Sequence, residues 1–176
     1  RAMVNRMNND LANDFGNLAQ RVLSMIYKNC GGQIPEPGAL RPADEAMLAA
    51  ADSALVRMRS ELALQAFHRA LEAHFAVIAQ ANRYVDEQAP WVLRKTDTAR
   101  FQTVLYVLAE VIRKLAILAQ PFMPNGPSAL LDQINQPKDA RDFAALETRL
   151  EPGTEIAKPQ GVFPRYVEDE ETKGAS

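Results

Sequence analysis

The sequence predicts an all-α fold: a helical bundle of four to five main helices with an extended C-terminal tail. Three observations carry that prediction. Apolar residues recur every three or four positions through four long stretches, the spacing of one helix face. No segment shows the sustained alternation of β-branched and polar residues that a half-buried strand needs. The breakers GG, QIPEPG, QAP and PFMP fall between the periodic stretches.

The first stretch spans residues 2–29. Val4, Met7, Leu11, Phe15, Leu18, Val22, Met25 and Ile26 make one apolar stripe. Asn8, Asn9, Asp10, Asn13, Asp14 and Asn17 fall largely on other faces, although Asn and Asp are poor helix formers. Gly31 and Gly32 stop the helix, and the break continues to Gly38. A second helix is expected from 42 to about 60. Pro42 suits its first turn, and Asp44 and Glu45 suit the positive end of its dipole. The apolar face shifts around Ser60–Leu64, which marks a register break. The third helix is expected from about 62 to 87, with Phe67, Leu71, Phe75, Ile78 and Val85 as its core stripe.

Pro90 closes off that pattern, and Trp91, the only tryptophan, comes just past it. A large aromatic at that point sits on a rim. Thr96 or Asp97 can cap a fourth helix from about 97 to 119, with a wide apolar face from Phe101 to Leu118. At ~1.5 Å per residue it is roughly 35 Å long. PFMP ends it. A short helix follows at about 126–135, and a weaker one at 139–149. Residues 1–150 therefore read as one helical domain. The tail, 151–176, has no helical period. Phe163 and Tyr166 offer docking points for it, and disorder is expected from about 168.

Composition narrows the function. Apolar content is 47% and charged content 24%, as in a globular domain. The net charge of −2 argues against bulk attraction to nucleic acid, so any such role must rest on a local site. One cysteine, Cys30, allows no internal disulfide and no Cys-based zinc site. It reads as a small apolar filler near a helix end. No apolar run approaches the ~20 residues of a membrane span. The chain begins on Arg1 and enters a helical pattern at once, so a fragment of a longer polypeptide is expected. His68 and His74 lie six apart on one helix and point to different faces, so they cannot share a metal. His74 reads as a surface or rim histidine. There is no P-loop and no GxGxxG, and no constellation reads as an active site.

A recognition surface is the remaining possibility. Asn17 and Arg21, four apart on the first helix, lie on one face. Together they offer donors and acceptors for a base edge or a phosphate, and Trp91 offers a flat face for an unstacked base. Each also has a bland reading: a solvated helix face for the pair, a packing cap for the tryptophan.

Three motifs, in order along nearly the whole chain, tip the balance. NDLANDFGNLAQR (9–21), ANRYVDEQAPWVLRK (81–95) with TVLYVLAEVIRKLAILAQPFMP (103–124), and KPQGVFPRY (158–166) resemble the C-terminal, anticodon-binding helical domain of methionyl-tRNA synthetases. Residues 30–62 carry the least of this signal. The resemblance implies a class I enzyme that joins methionine to its tRNA using ATP with Mg. Its Rossmann catalytic domain would lie outside this chain, so this chain would be inactive alone and hold no cofactor. The implied partners are the anticodon loop of tRNA(Met) and that catalytic domain, with no membrane. The implied compartment is the cytoplasm, or alternatively the mitochondrial matrix. By position Asn17 and Arg21 match the Asn-x-x-x-Arg pair that hydrogen-bonds the CAU anticodon, chiefly its first cytosine. Trp91 matches the tryptophan that stacks on that base, and Pro90 the proline beside it. Asp86 matches an acidic residue that shapes the site or rejects wrong anticodons. Two alternatives stay open: the corresponding domain of another class I synthetase, and a helical interaction or scaffold domain that binds no RNA.

Overall fold

The computed structural model describes residues 2–123 and 125–161, with side chains from Asn9 onward. Phe163, Tyr166 and the stretch from 168, for which docking and disorder were expected, lie outside the described residues. Among the described residues six α-helices follow one another: α1 (Ala2–Asn29), α2 (Pro42–Ala63), α3 (Phe67–Gln88), α4 (Pro90–Thr96), α5 (Thr98–Ala119) and α6 (Asn125–Gln133). A 3-10 turn covers Phe143–Glu147.

The stripe expected on α1 is its buried face: Leu11, Phe15, Leu18, Val22 and Ile26 are inaccessible or nearly so. α2 begins at Pro42, where a missing N–H costs nothing. The Arg41 N–H donates to Asp44 Oδ2 at 2.8 Å, so the acid in the first turn caps the helix as well as suiting its dipole. The register break lies at Leu64–Ala66. Gln65 takes φ +57°, and Ala66 N–H reaches back to the Glu61 carbonyl at 2.8 Å, which ends α2. The third helix therefore starts at Phe67, not near 62. Phe67 is its first residue and projects beyond the core, 59% exposed, so it does not belong to the core stripe. Leu71, Ile78 and Val85 do.

α5 is the centre of the bundle and packs against all the other helices and the 3-10 turn. Its cap is Asp97, whose Oδ1 accepts from Arg100 N at 3.1 Å. From Thr103 to Ala119 every residue is buried, more than a wide apolar face implies. Three charged residues therefore lie inside. Glu110 takes two hydrogen bonds from Arg113, at 2.7 and 3.1 Å, and one from Leu150 N at 2.7 Å. Arg113 also donates to the Ala145 and Thr148 carbonyls. Lys114 pairs with Asp52 on α2. Buried charge is tolerated because each group is paired and hydrogen-bonded. These bonds also strap residues 145–150 onto α5. The weak helix expected at 139–149 is only the 3-10 turn, capped by Asp142.

The start of the tail runs beside the loop after α1. Ile34 N donates to Thr154 O at 2.9 Å, Gly153 N to Ile34 O at 2.7 Å and Ile156 N to Gly32 O at 2.8 Å. Ile34 and Ile156 are buried beneath this pairing. No helix among the described residues is long and apolar enough to cross a membrane.

His74 overturns its expected surface position. Its ring is fully buried and meets the edge of Phe15 with centroids 5.7 Å apart. The helix period explains this, since His74 shares a face with Leu71, Val77 and Ile78. Nε2 lies 2.8 Å from the Leu115 carbonyl, so Nε2 carries the proton, while buried Nδ1 has no partner. Burial pushes the pKa of His74 from 6.5 down to about 4, against the opposing hydrogen bond to Leu115. The unfolded chain binds a proton there at a higher pH than the fold does. His74 thus supports full stability above pH 6.5 and costs stability as pH falls from 6.5 towards 4. Urea midpoints taken from pH 7 to pH 4 should fall more steeply for this chain than for His74→Gln. Parallel curves would remove His74 as the cause.

Candidate nucleic-acid interface

The rim at the end of α3 is built by a backbone feature that the periodicity conceals. Ala89, not Pro90, ends the helix. It takes φ +47°, and its N–H donates to the Val85 carbonyl at 2.9 Å. A left-handed alanine costs about 1–2 kcal/mol, so its neighbours must hold it there. Pro90 then opens a helix of seven residues, with Val92 and Leu93 N–H donating to the Ala89 carbonyl. α4 had no counterpart among the expected helices, because about two turns are too short to show a period. Its one mark in the sequence is a proline set to start a helix, since Thr96 and Asp97 read only as caps of the helix that follows.

Pro90 is buried at the base of this turn. Trp91 stands outward, 43% exposed, on the rim where the sequence put it. Across from it, α1 carries Asn17 and Arg21 on its exposed face, one helical turn apart. The Arg21 guanidinium carbon lies 5.1 Å from the centroid of the Trp91 ring. That is within the ~6 Å reach of a cation–π contact, worth ~0.5–1 kcal/mol at an exposed site. Residues seventy positions apart in the sequence thus form one surface: an aromatic face, a guanidinium fork against it and an amide beside the fork. Asp86 lies exposed on the last turn of α3.

Beneath the rim lies a polar cluster that the sequence analysis did not identify. Arg100 donates to both oxygens of Asp44, at 2.6 and 2.8 Å, and to Gln88 Oε1 at 2.7 Å. The Tyr84 hydroxyl donates to Asp44 Oδ1 at 2.5 Å. Burial acts to raise the Asp44 pKa, but hydrogen bonds from Arg100, Tyr84 and the Arg41 backbone outweigh it and hold the carboxyl below its ordinary value. Tyr84 is pushed up by burial and by its bond to Asp44, so it stays a hydrogen-bond donor. A signal was present in the sequence: an acid at the third position of a helix was free to do more than complement a dipole.

Cys30 is partly buried against the core, and burial raises its pKa, which suits a filler and not a nucleophile. Among the described residues no three His, Cys, Asp or Glu side chains gather to hold a metal ion.

A family model described as the anticodon binding domain of methionyl tRNA ligase matches residues 34–175. The chain belongs to this family. The methionine–tRNA ligase of Brucella melitensis is 57% identical over 171 residues, which are 97% of this chain and 33% of that protein. The Mycobacterium leprae ligase is 50% identical over 173 residues, 96% of this chain and 32% of its own length. Among solved structures, the free form of Mycobacterium tuberculosis methionyl-tRNA synthetase superimposes with a TM-score of 0.89 at 50% identity. It covers 94% of this chain and 34% of that one. The same enzyme in complex with methionyl-adenylate gives 0.88. This anticodon-binding domain therefore spans about a third of the length of the relatives it matches. The match includes the loop and second helix, where the sequence motifs were weakest.

Proposed function

We propose that this domain reads the CAU anticodon of tRNA(Met) for a methionine–tRNA ligase, with Trp91 as the stacking platform and Asn17 and Arg21 as the edge readers. The observation that carries the reading is the Arg21–Trp91 contact. It joins a flat, half-open aromatic face to a planar set of donors, and a splayed base needs both. Cytosine offers two acceptors on its pairing edge and an amino donor. Arg21 supplies only donors, while the Asn17 amide supplies a donor and an acceptor. Stacking contributes roughly 1–3 kcal/mol with little regard to base identity, and a good bidentate contact a similar amount of discrimination. Pro90 fixes the ring's position from below. Asp86, on the same rim, repels phosphates and carbonyl-rich edges that approach from its side.

Methionine activation with ATP and Mg belongs to the catalytic domain of such a ligase. The described residues do not fit a Mg site, and no step of that reaction is assigned to them. On this reading the domain works in the cytoplasm, joined to that catalytic domain. A scaffold domain without RNA binding would bury its lone tryptophan; an exposure of 43% weighs against it.

Trp91 is the only tryptophan, so its fluorescence reports the site directly. Titration with a CAU stem-loop should quench it, and a loop changed at the first anticodon base should bind more weakly. Absence of quenching at saturating CAU loop would overturn the reading. Arg21→Ala should narrow the difference between the two loops by about tenfold, the equivalent of ~1.4 kcal/mol. Unchanged discrimination would take Arg21 out of the readout.

A further inference from the structure

The polar cluster under the rim is more than a link between helices. Arg100 sits four residues past α4 and reaches both of its ends. Its guanidinium holds the Gln88 side chain at 2.7 Å, one residue before Ala89. Its backbone N–H is held at 3.1 Å by Asp97, the residue that follows α4. The guanidinium itself is fixed by both oxygens of Asp44 and is almost fully buried. α4 otherwise rests along α5 and meets α1 through the Arg21–Trp91 contact, and little of it is buried. It is seven residues long, Pro90 is its one buried residue, and Leu93 only partly packs on the core. A helix that short has no stability of its own. Its direction is therefore set at its ends, and the direction of α4 is the direction of Trp91.

We propose that Arg100 and Gln88 are positioning residues for base recognition: the Asp44-anchored guanidinium holds Gln88, Gln88 holds the left-handed Ala89 turn, and that turn aims Trp91 at Arg21 and the incoming base. Neither residue touches the RNA. The inference rests on the stacking role of Trp91 given above. Gln88 is the separable link, because the Asp44–Arg100 pair that ties α2 to α5 does not depend on it. Gln88 is only half-buried, and its loss leaves Arg100 held by both oxygens of Asp44.

Two substitutions at this position make the test. Gln88→Met keeps the length of the side chain and removes the acceptor. Gln88→Glu keeps an acceptor for Arg100. In the free chain, acrylamide quenching of Trp91 fluorescence reports the ring's exposure without any RNA. Gln88→Met should change that quenching and weaken binding of the CAU stem-loop roughly fivefold to tenfold, while melting stays within about 4 °C. Gln88→Glu should restore both readouts to near their original values. Unchanged quenching and affinity in Gln88→Met would overturn the proposal. So would a Gln88→Glu variant as impaired as Gln88→Met. A large fall in melting temperature with unchanged binding per folded molecule would make Gln88 structural only and overturn it too. Failure of the stacking reading looks different: the stem-loop would bind Trp91→Ala normally, while the free-chain quenching still reports whether Gln88 aims the ring.

Discussion

Asp44→Ala is expected to destabilise the fold by about 3–5 kcal/mol, the usual result of removing one partner of a buried ion pair. The carboxylate has no exposed surface and accepts from four donors: two nitrogens of Arg100, the Tyr84 hydroxyl and the Arg41 N–H. Alanine would leave the guanidinium buried without a counter-charge, in a site where its Nε already has no partner. It would also leave the start of α2 uncapped. At roughly 2–4 °C per kcal/mol for a chain of this size, melting should fall by about 6–20 °C. Urea unfolding at pH 7 checks the value. A loss below about 1 kcal/mol with an unchanged urea slope would mean that the pair's attraction barely exceeds its desolvation. Asp44→Leu combined with Arg100→Met should recover much of the loss, since an apolar pair leaves no charge to satisfy. Because the Asp44 carboxyl sits below its ordinary pKa, this contribution is present above the ordinary carboxylate range. It fades as pH falls through the lowered value.

That cluster also marks the limit of what periodicity reveals. α1, α2, α3 and α5 were legible because a helix face needs only apolar residues at the right spacing; the stripe on α5 is buried in full, and so is the described part of the stripe on α1 except for the partly buried Met25. Asp44, Glu110, Arg113 and Lys114 were not legible as interior residues. Their burial depends on partners 32 to 62 positions away, and on a central helix enclosed on all sides. His74 was misread for a neighbouring reason: its type suggested a surface, while its angular position beside Leu71 and Ile78 already placed it inside. Phe67 failed in the opposite sense, because its spacing to Leu71 held but the helix began at Phe67 itself. At the candidate site, the exposure of Trp91 followed from local chemistry. Its contact with Arg21 did not, since it joins α1 to α4 across the bundle. Only the motif resemblance tied those two stretches together before the geometry did.

Trp91→Ala is expected to weaken binding of a CAU stem-loop by about 1–3 kcal/mol, roughly 5- to 150-fold, with little change in melting temperature. The ring is 43% exposed and contributes no large share of the core, so its removal should be felt by the ligand and not by the fold. The contact with Arg21 complicates the arithmetic. In the free domain the guanidinium already covers part of the ring, so a base must displace it or stack against it. Binding therefore gains the stacking energy minus whatever cation–π attraction is given up, about 0.5–1 kcal/mol. On the proposed reading, Arg21→Ala alone thus removes a competitor for the ring as well as an edge reader. It should lose more discrimination than affinity, whereas Trp91→Ala should lose affinity for both loops alike. Salt separates stacking from charge. With a net charge of −2, the domain has little bulk attraction for phosphates, and stacking does not depend on counterion release. The Trp91→Ala penalty should therefore be the same at 50 mM and at ~200 mM salt. A penalty that disappears at the higher salt would mean that Trp91 acts by holding Arg21 near the phosphate backbone, and the base would have to be read elsewhere.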